Sequence, residues 1–289
     1  MKKKQENTPE VNVANMFRQM ERLTGGAAKG KSKRQQQAQE LVYQAWEEDD
    51  LNQAAVLLHQ ATDLDPTNLD AWLGLLDISC LPADEEIQVL RKLITVGEVA
   101  LGRDFSEFKG HFWGFHETRP YMRTRARLAQ LLMQTGKSKE AIPEFEAMLE
   151  LNPNDNQGIR YELMGAYLSL GRLDGARRLF KQYDERKFTA TWAWAYILER
   201  FVSGAEDEAS AALVEALAQN PHMRAYVQGD RQLPRNRPDR YAMGSREEAI
   251  IAWDVLAPAW EKHPEAVAWL RNQPRAASVP ERKGKRTRR

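Results

Sequence analysis

Residues 136–153 read GKSKEAIPEFEAMLELNP. A glycine opens the stretch, Ala141 follows five residues on, Phe145 four further, and Pro153 closes it. The same frame recurs as GRLDGARRLF from Gly171 to Phe180 and as GAEDEASAAL from Gly204 to Leu213. Ala176 and Ala209 hold the small position, and Pro221 closes the last copy. The glycines lie 35 and 33 residues apart. An earlier stretch, AAVLLHQATDLDP from Ala54 to Pro66, shares the second half of the frame, with Asp49 where the turn glycine belongs.

Each position has a job in a pair of antiparallel helices. The glycine ends the first helix and takes the left-handed conformation of a tight turn. The alanine lets the second helix approach the first, and the bulky residue one turn later fills the space beside it. Asn-Pro or Asp-Pro then stops the second helix, because the residue before proline avoids helical angles. Leu128, Leu163 and Tyr196, eight residues before each glycine, supply a second core position on the first helix.

This pattern resembles the tetratricopeptide repeat, a helix-turn-helix unit of about 34 residues. Copies fall at 35–68, 122–155, 157–189 and 190–223, the third without its terminal proline. The spacing from Ala54 to Ala141 leaves room for one more unit near 69–102, opened by Leu69, Trp72 and Leu75, and for an insert of roughly 19 residues. The implied fold class is all-α: an α-α superhelix of tetratricopeptide-like helix-turn-helix repeats with a helical C-terminal cap.

Charge divides the chain of 289 residues into three parts. Residues 1–36 carry +6, 272–289 belong to a tail whose stretch 271–289 carries +7, and 37–270 carry −12, within a net +1. Both tails lack large apolar residues in the number needed to offset ordering entropy, so 1–36 and 272–289 read as basic and largely disordered. Within the first of them, VANMFRQMERLT has helical character, with Val13, Phe17, Met20 and Leu23 spaced as an amphipathic face. The repeat domain spans 37–271, with an insert about 103–121 and a cap about 222–271. No run of about 18 apolar residues implies a membrane span, and no apolar stretch follows the basic start as in a secretory signal. The single cysteine, Cys80, sits in the apolar stretch LLDISCL and reads as a packed side chain in a cytoplasmic protein.

The insert, KGHFWGFHETRPYMR at 109–123, concentrates aromatic rings and arginines. One reading makes Trp113, Phe115 and Tyr121 an anchoring surface beside Arg119 and Arg123, which grip a carboxylate or phosphate. The other makes it an Ω-like loop whose rings plug the gap between repeats and whose Arg119 satisfies helix-end carbonyls. His111 and His116 are five apart, which does not place two ligands on one helix face. Trp113, Arg119, Tyr121, Arg123, Tyr161 and Trp194 are the candidate partner-binding residues. No catalytic, cofactor or metal residue is assigned.

In the cap, SREE from Ser245 to Glu248 has the letters of a capping box and opens a helix through Trp260. Here a narrower resemblance enters. Asn220-Pro221-His222, Tyr226, the Gly244-Ser245-x-Glu247-Glu248-Ala249 segment, Trp260, ETRPYMR at 117–123 and LNPNDNQGIRY at 151–161 resemble bacterial relatives of the suppressor-of-tumorigenicity-seven family, over about 110–270. The resemblance implies the repeat fold and an interaction role, and no reaction. The animal members' membrane spans have no counterpart in this sequence.

One further motif competes. GGAAKGKS at 25–32 satisfies the phosphate-loop letters, with Lys31 and Ser32 in the phosphate and magnesium positions. That chemistry needs a preceding strand and a following helix docked on a sheet, and an all-helical body offers no sheet. The letters therefore read as linker, and neither G-x-S-x-G nor H-E-x-x-H occurs.

The expected function is a non-enzymatic scaffold that binds an unidentified protein or peptide in the groove lined by the first helices. The chaperone-tail clamp of such repeats needs Lys and Asn at fixed first-helix positions. Gln39, Ala126, Tyr161 and Trp194 occupy the Lys places and Tyr43, Gln130, Gly165 and Leu198 the Asn places, so chaperone C-terminal tails are disfavoured. The alternative is association with RNA or DNA through KGKSKR at 29–34 and RKGKRTRR at 282–289.

Overall fold

The computed structural model describes residues 32–274, which hold 14 α-helices and no strand. This is the all-α, helical-repeat class read from the sequence. The described residues divide into two compact units at Ile159 and Arg160.

The N-terminal unit contains three helical hairpins. The first pairs α1 (Lys33–Glu47) with α2 (Leu51–Leu64), the second α3 (Leu69–Ile78) with α4 (Ala83–Leu101). A short helix α5 (Arg103–Glu107) and a 3-10 turn (Phe112–Gly114) carry the insert to the third pair, α6 (Arg119–Gln134) and α7 (Ser138–Leu151). Helix α1 starts inside the stretch 1–36 that the charge pattern assigns to the tail. Its first turn explains this: the Ser32 hydroxyl accepts from the Gln35 amide at 3.4 Å, and Gln35 Oε1 accepts from the Ser32 amide at 2.7 Å. Two amides left free at the helix start are thereby satisfied. Ser32, the last letter of the phosphate-loop match, is thus a helix cap; the other seven letters lie outside the described residues.

The C-terminal unit holds two more hairpins, α8 (Ile159–Ser169) with α9 (Leu173–Gln182) and α10 (Ala190–Val202) with α11 (Glu206–Gln219). A short α12 (Met223–Val227), a long α13 (Arg246–Trp260) and α14 (Pro264–Asn272) complete it.

The repeat frame does in three dimensions what its chemistry requires. Gly136, Gly171 and Gly204 have φ of 75°, 65° and 78°. Past each, the next amide turns back to a carbonyl of the closing helix: Lys137 to Leu132 at 2.8 Å, Arg172 to Tyr167 at 2.9 Å, Ala205 to Arg200 at 2.9 Å. These are the closing bonds of a glycine-capped helix end, and a side chain at the glycine would strain each one. Ala54, Ala141, Ala176 and Ala209 are all buried, as are the bulky Leu58, Phe145 and Leu213 and the first-helix Leu128 and Leu163. Phe180 is half-buried and meets Trp192 and Tyr196 edge-on instead, at centroid distances of 5.9 and 5.4 Å.

Two local expectations are corrected. Cys80 is exposed, because α3 stops at Ile78 and the cysteine falls in the turn before Pro82. At the start of α13, Ser245 Oγ accepts from the Glu248 amide at 3.2 Å, but Glu248 does not return the bond to Ser245. Its carboxylate turns inward and accepts from the Gly244 amide at 2.7 Å, the Ala190 amide at 2.9 Å and Asn220 Nδ2 at 3.0 Å. A buried carboxylate with three donors pins α13 to the start of α10 and the end of α11.

Candidate functional site

The first helices of the N-terminal unit, α1, α3 and α6, lie side by side and form one face, called here the inner face. Between them opens a cleft of about 230 Å³ lined by Trp46, Asp70, Leu73, Gly74, Asp77, Arg123 and Arg127. Its rim on α1 is an exposed aromatic pair: Tyr43 and Trp46, 49% and 56% accessible, have ring centroids 5.6 Å apart. Val42 and Ala45, each one residue earlier and about 100° round α1, are buried. Helical geometry therefore leaves Tyr43 and Trp46 on the exposed flank of α1, beside the cleft.

The two arginines are positioned by carboxylates. Arg123 grips Asp70 with Nη2 at 2.6 and 2.8 Å and Nε at 3.2 Å, and Asp70 itself is only 5% exposed. Arg127 donates Nε to Glu86 at 2.6 Å and Nη1 to Asp77 and, at 3.4 Å, to the Leu73 carbonyl. Fork-shaped guanidinium pairing of this kind fixes both donor planes with little freedom left to lose on binding. Next to the cleft, Asn68 Nδ2 donates to Gln39 Oε1 at 3.1 Å, a further tie between α1 and α3.

The six residues named from the sequence do not form one site. Arg123 lines the cleft. Trp113 and Arg119 meet each other in the insert, the Arg119 guanidinium 5.5 Å from the Trp113 ring and its Nε donating to the Trp113 carbonyl at 3.0 Å. Tyr121 is 1% exposed and therefore offers no surface to a partner. Its ring packs edge-on with Phe105 and Phe112 at 5.5 and 6.0 Å, and its hydroxyl donates to Glu98 at 2.8 Å and accepts from Arg125 at 2.7 Å. Burial pushes its phenol pKa well above the usual range. Phe108 and Phe115 stack at 3.8 Å, so most rings of the insert face one another.

Tyr161, half-buried on α8, donates to Glu185 at 2.6 Å beneath the Arg160 guanidinium, 4.4 Å from its ring. Burial, followed by its bond to Glu185, raises its pKa well above the usual range. Trp194 is 0% exposed and cannot reach a partner as it stands. The reason is α13, which lies across the first helices α8 and α10 of the C-terminal unit. Trp260 comes within 6.0 Å of Trp194, centroid to centroid. At Gly165 the approach is so close that a Cβ would sit 2.6 Å from the Val255 carbonyl oxygen. Lys262 donates to the Ser169 carbonyl at 2.7 Å. Tyr161, Gly165, Trp194 and Leu198 stand in the same repeat register as Gln39, Tyr43, Ala126 and Gln130. The inner face is thus filled in one unit and open in the other.

Sequence reasoning missed Trp46, Asp70, Asp77 and Arg127. Tyr43 alone stood at a position that repeat register marks as inward-facing.

Residues 132–193 match the model of the tetratricopeptide repeat family. The crystal structure of MamA protein aligns over 70% of this chain and 97% of its own length, at 18% identity and a TM-score of 0.43. No curated protein matches the chain. None of these matches is to the suppressor-of-tumorigenicity-seven family. Among the described residues, no helix is long and apolar enough to cross a membrane, and no group of three or more His, Cys, Asp or Glu side chains converges as metal ligands do.

Proposed function

We propose that the protein is a non-enzymatic interaction scaffold that docks a peptide or protein segment on the inner face of its N-terminal unit. Tetratricopeptide-like repeats support protein–protein interaction in general. The observation that carries the finer reading is the exposed Tyr43–Trp46 pair beside a cleft whose arginines are already held in place. Aromatic rings with few rotamers and pre-positioned guanidinium groups are the side chains that anchor interfaces, since little entropy is lost when a partner covers them. On the insert, Trp113 and Arg119 offer a smaller, partly exposed supplement.

A photo-crosslinking amino acid placed at position 46 of the full chain tests this, with position 214, exposed on α11, as the reference. The expected result is a discrete partner adduct from position 46 only, with capture reduced about tenfold or more in Tyr43→Ala, as for an interface anchor. Identical adducts from both positions, or none from position 46, rule out the inner face as the docking surface.

The alternative use of the basic tails for RNA or DNA rests, apart from Lys33 and Arg34 at the start of α1, on residues outside those described. Binding of that kind weakens steeply with added salt, whereas an adduct from position 46 that persists as salt rises belongs to the inner face.

A further inference from the structure

The C-terminal unit shows what this kind of face accepts. Helix α13 covers α8 and α10 with an apolar stripe, Ala252, Leu256, Ala259 and Trp260 all buried, and two residues past its end Lys262 donates to the Ser169 carbonyl. The corresponding face of the N-terminal unit leaves Tyr43, Trp46 and Gln130 exposed. Its charge also asks for a particular occupant. Glu40, Glu47, Glu48, Asp49 and Asp50 are exposed on α1 and the turn after it, against Lys33 and Arg34 at the start of α1, while both arginines of the cleft are bound to Asp70, Glu86 and Asp77. The uncompensated charge on that side is negative, which favours a cationic segment.

The chain carries a segment with this chemistry. Residues 11–23 read VNVANMFRQMERL, with Val13, Phe17, Met20 and Leu23 at helical spacing and Arg18 and Arg22 against Glu21 between them; Lys2, Lys3 and Lys4 against Glu6 and Glu10 lie ahead, so that residues 1–23 carry five basic and three acidic side chains. Nine residues, 24–32, join it to the start of α1. They reach up to roughly 30 Å when extended, and the 15-residue α1 is about 22 Å long. The tether therefore suffices for the segment to lie anywhere along α1.

We propose that residues 11–23 dock on the inner face of the N-terminal unit, Phe17 and Met20 against Tyr43 and Trp46, as α13 docks on that of the C-terminal unit. This rests on the reading of the inner face as a docking surface. It also specifies the partner: a basic amphipathic segment that replaces residues 11–23.

The test uses the full chain with Cys80→Ser and a single reporter thiol, from Glu47→Cys or Gln130→Cys, which leave Tyr43 and Trp46 in place, and measures modification by dithiobis(nitrobenzoate). With the native N-terminus, the thiol is expected to react about tenfold or more slowly than in the same chain carrying Val13→Asp, Phe17→Asp and Met20→Asp, as for a site shielded by a local closed state. Circular dichroism melting of the paired chains confirms that the inner face is equally folded in both. Equal rates at both reporters overturn the proposal. Protection that grows with protein concentration also overturns it, assigning the occupant to a second copy. If rates are equal while position 46 still yields a partner adduct, the docking face stands and only its occupant is wrong.

Discussion

The two units present the same face of the same repeat and treat it in opposite ways. In the N-terminal unit, the first helices end in exposed rings and paired charges; in the C-terminal unit, a later helix has been laid across them. The pairs Tyr43 and Gly165, or Gln130 and Leu198, are equivalent in repeat register and differ in what stands above them. Small and apolar residues appear where the backbone of α13 comes down, and polar or aromatic ones where water or a partner does. Position in the repeat sets the direction of a side chain, and the rest of the chain decides whether that direction leads to solvent.

The sharpest way to break the comparison is to remove a tryptophan from each face. Trp194→Ala takes out a ring with no exposure, packed on Trp260. A loss of about 3–5 kcal/mol is expected, because a large cavity opens under α13. In the chain carrying Val13→Asp, Phe17→Asp and Met20→Asp, Trp46→Ala removes a ring that is mostly in water and is expected to stay within about 0.5 kcal/mol of that chain. Denaturant titration of both variants measures the difference. Equal losses would mean that the N-terminal face is packed as tightly as the C-terminal one.

Much of this was legible beforehand. The turn glycines, crossing alanines and helix-stopping prolines act within a few residues of themselves, so their spacing reports the hairpins directly. The insert's aromatics and Arg119 were open to two readings, and most of their geometry is that of filler. What stayed hidden depends on distant partners. Asp70 and Arg123 are 53 residues apart in sequence, and nothing periodic links them. Trp194 was placed on the inward side of its helix by register, but the ring that covers it belongs to α13. Glu248 shows the same limit on a small scale. Its letters fit a local capping box, yet three donors from elsewhere compete for its carboxylate and win.

A gentler probe adds one carbon to the covered face. Gly165→Ala places a Cβ 2.6 Å from the Val255 carbonyl oxygen and 3.1 Å from Val255 Cγ1. The oxygen is backbone, so relief requires α13 itself to shift. Alanine gains about 1 kcal/mol over glycine as a helix former, while overpacking costs about 1–3 kcal/mol. The net expectation is a loss of about 1 kcal/mol, seen as a lower Tm, with no change for Gln130→Ala at the equivalent place on α6. A Gly165→Ala chain that melts above the parent would show that α13 does not press on α8.

The smallest expected effect is electrostatic and separates the two faces by pH. Glu162 on α8 has its pKa raised, first by desolvation and then by Asp254 of α13. Asp254 is itself held by Arg237, at 2.8 and 3.0 Å, so the arginine that faces this carboxylate pair is already engaged by one member. A carboxyl whose pKa is higher folded than unfolded binds its proton more tightly in the native state. Its contribution is fully present below the unfolded pKa and is lost as pH rises from the ordinary carboxylate range through the raised value. Above that window the parent carries a charge that the α8–α13 contact disfavours. Glu162→Gln removes this charge while keeping the shape, so its Tm should exceed the parent's modestly at neutral pH, and the gain should shrink on acidification. The same substitution should leave thiol reactivity at position 130 unchanged, since that residue belongs to the other unit's face. A gain that is constant with pH would trace to packing of the amide and not to the carboxylate's charge.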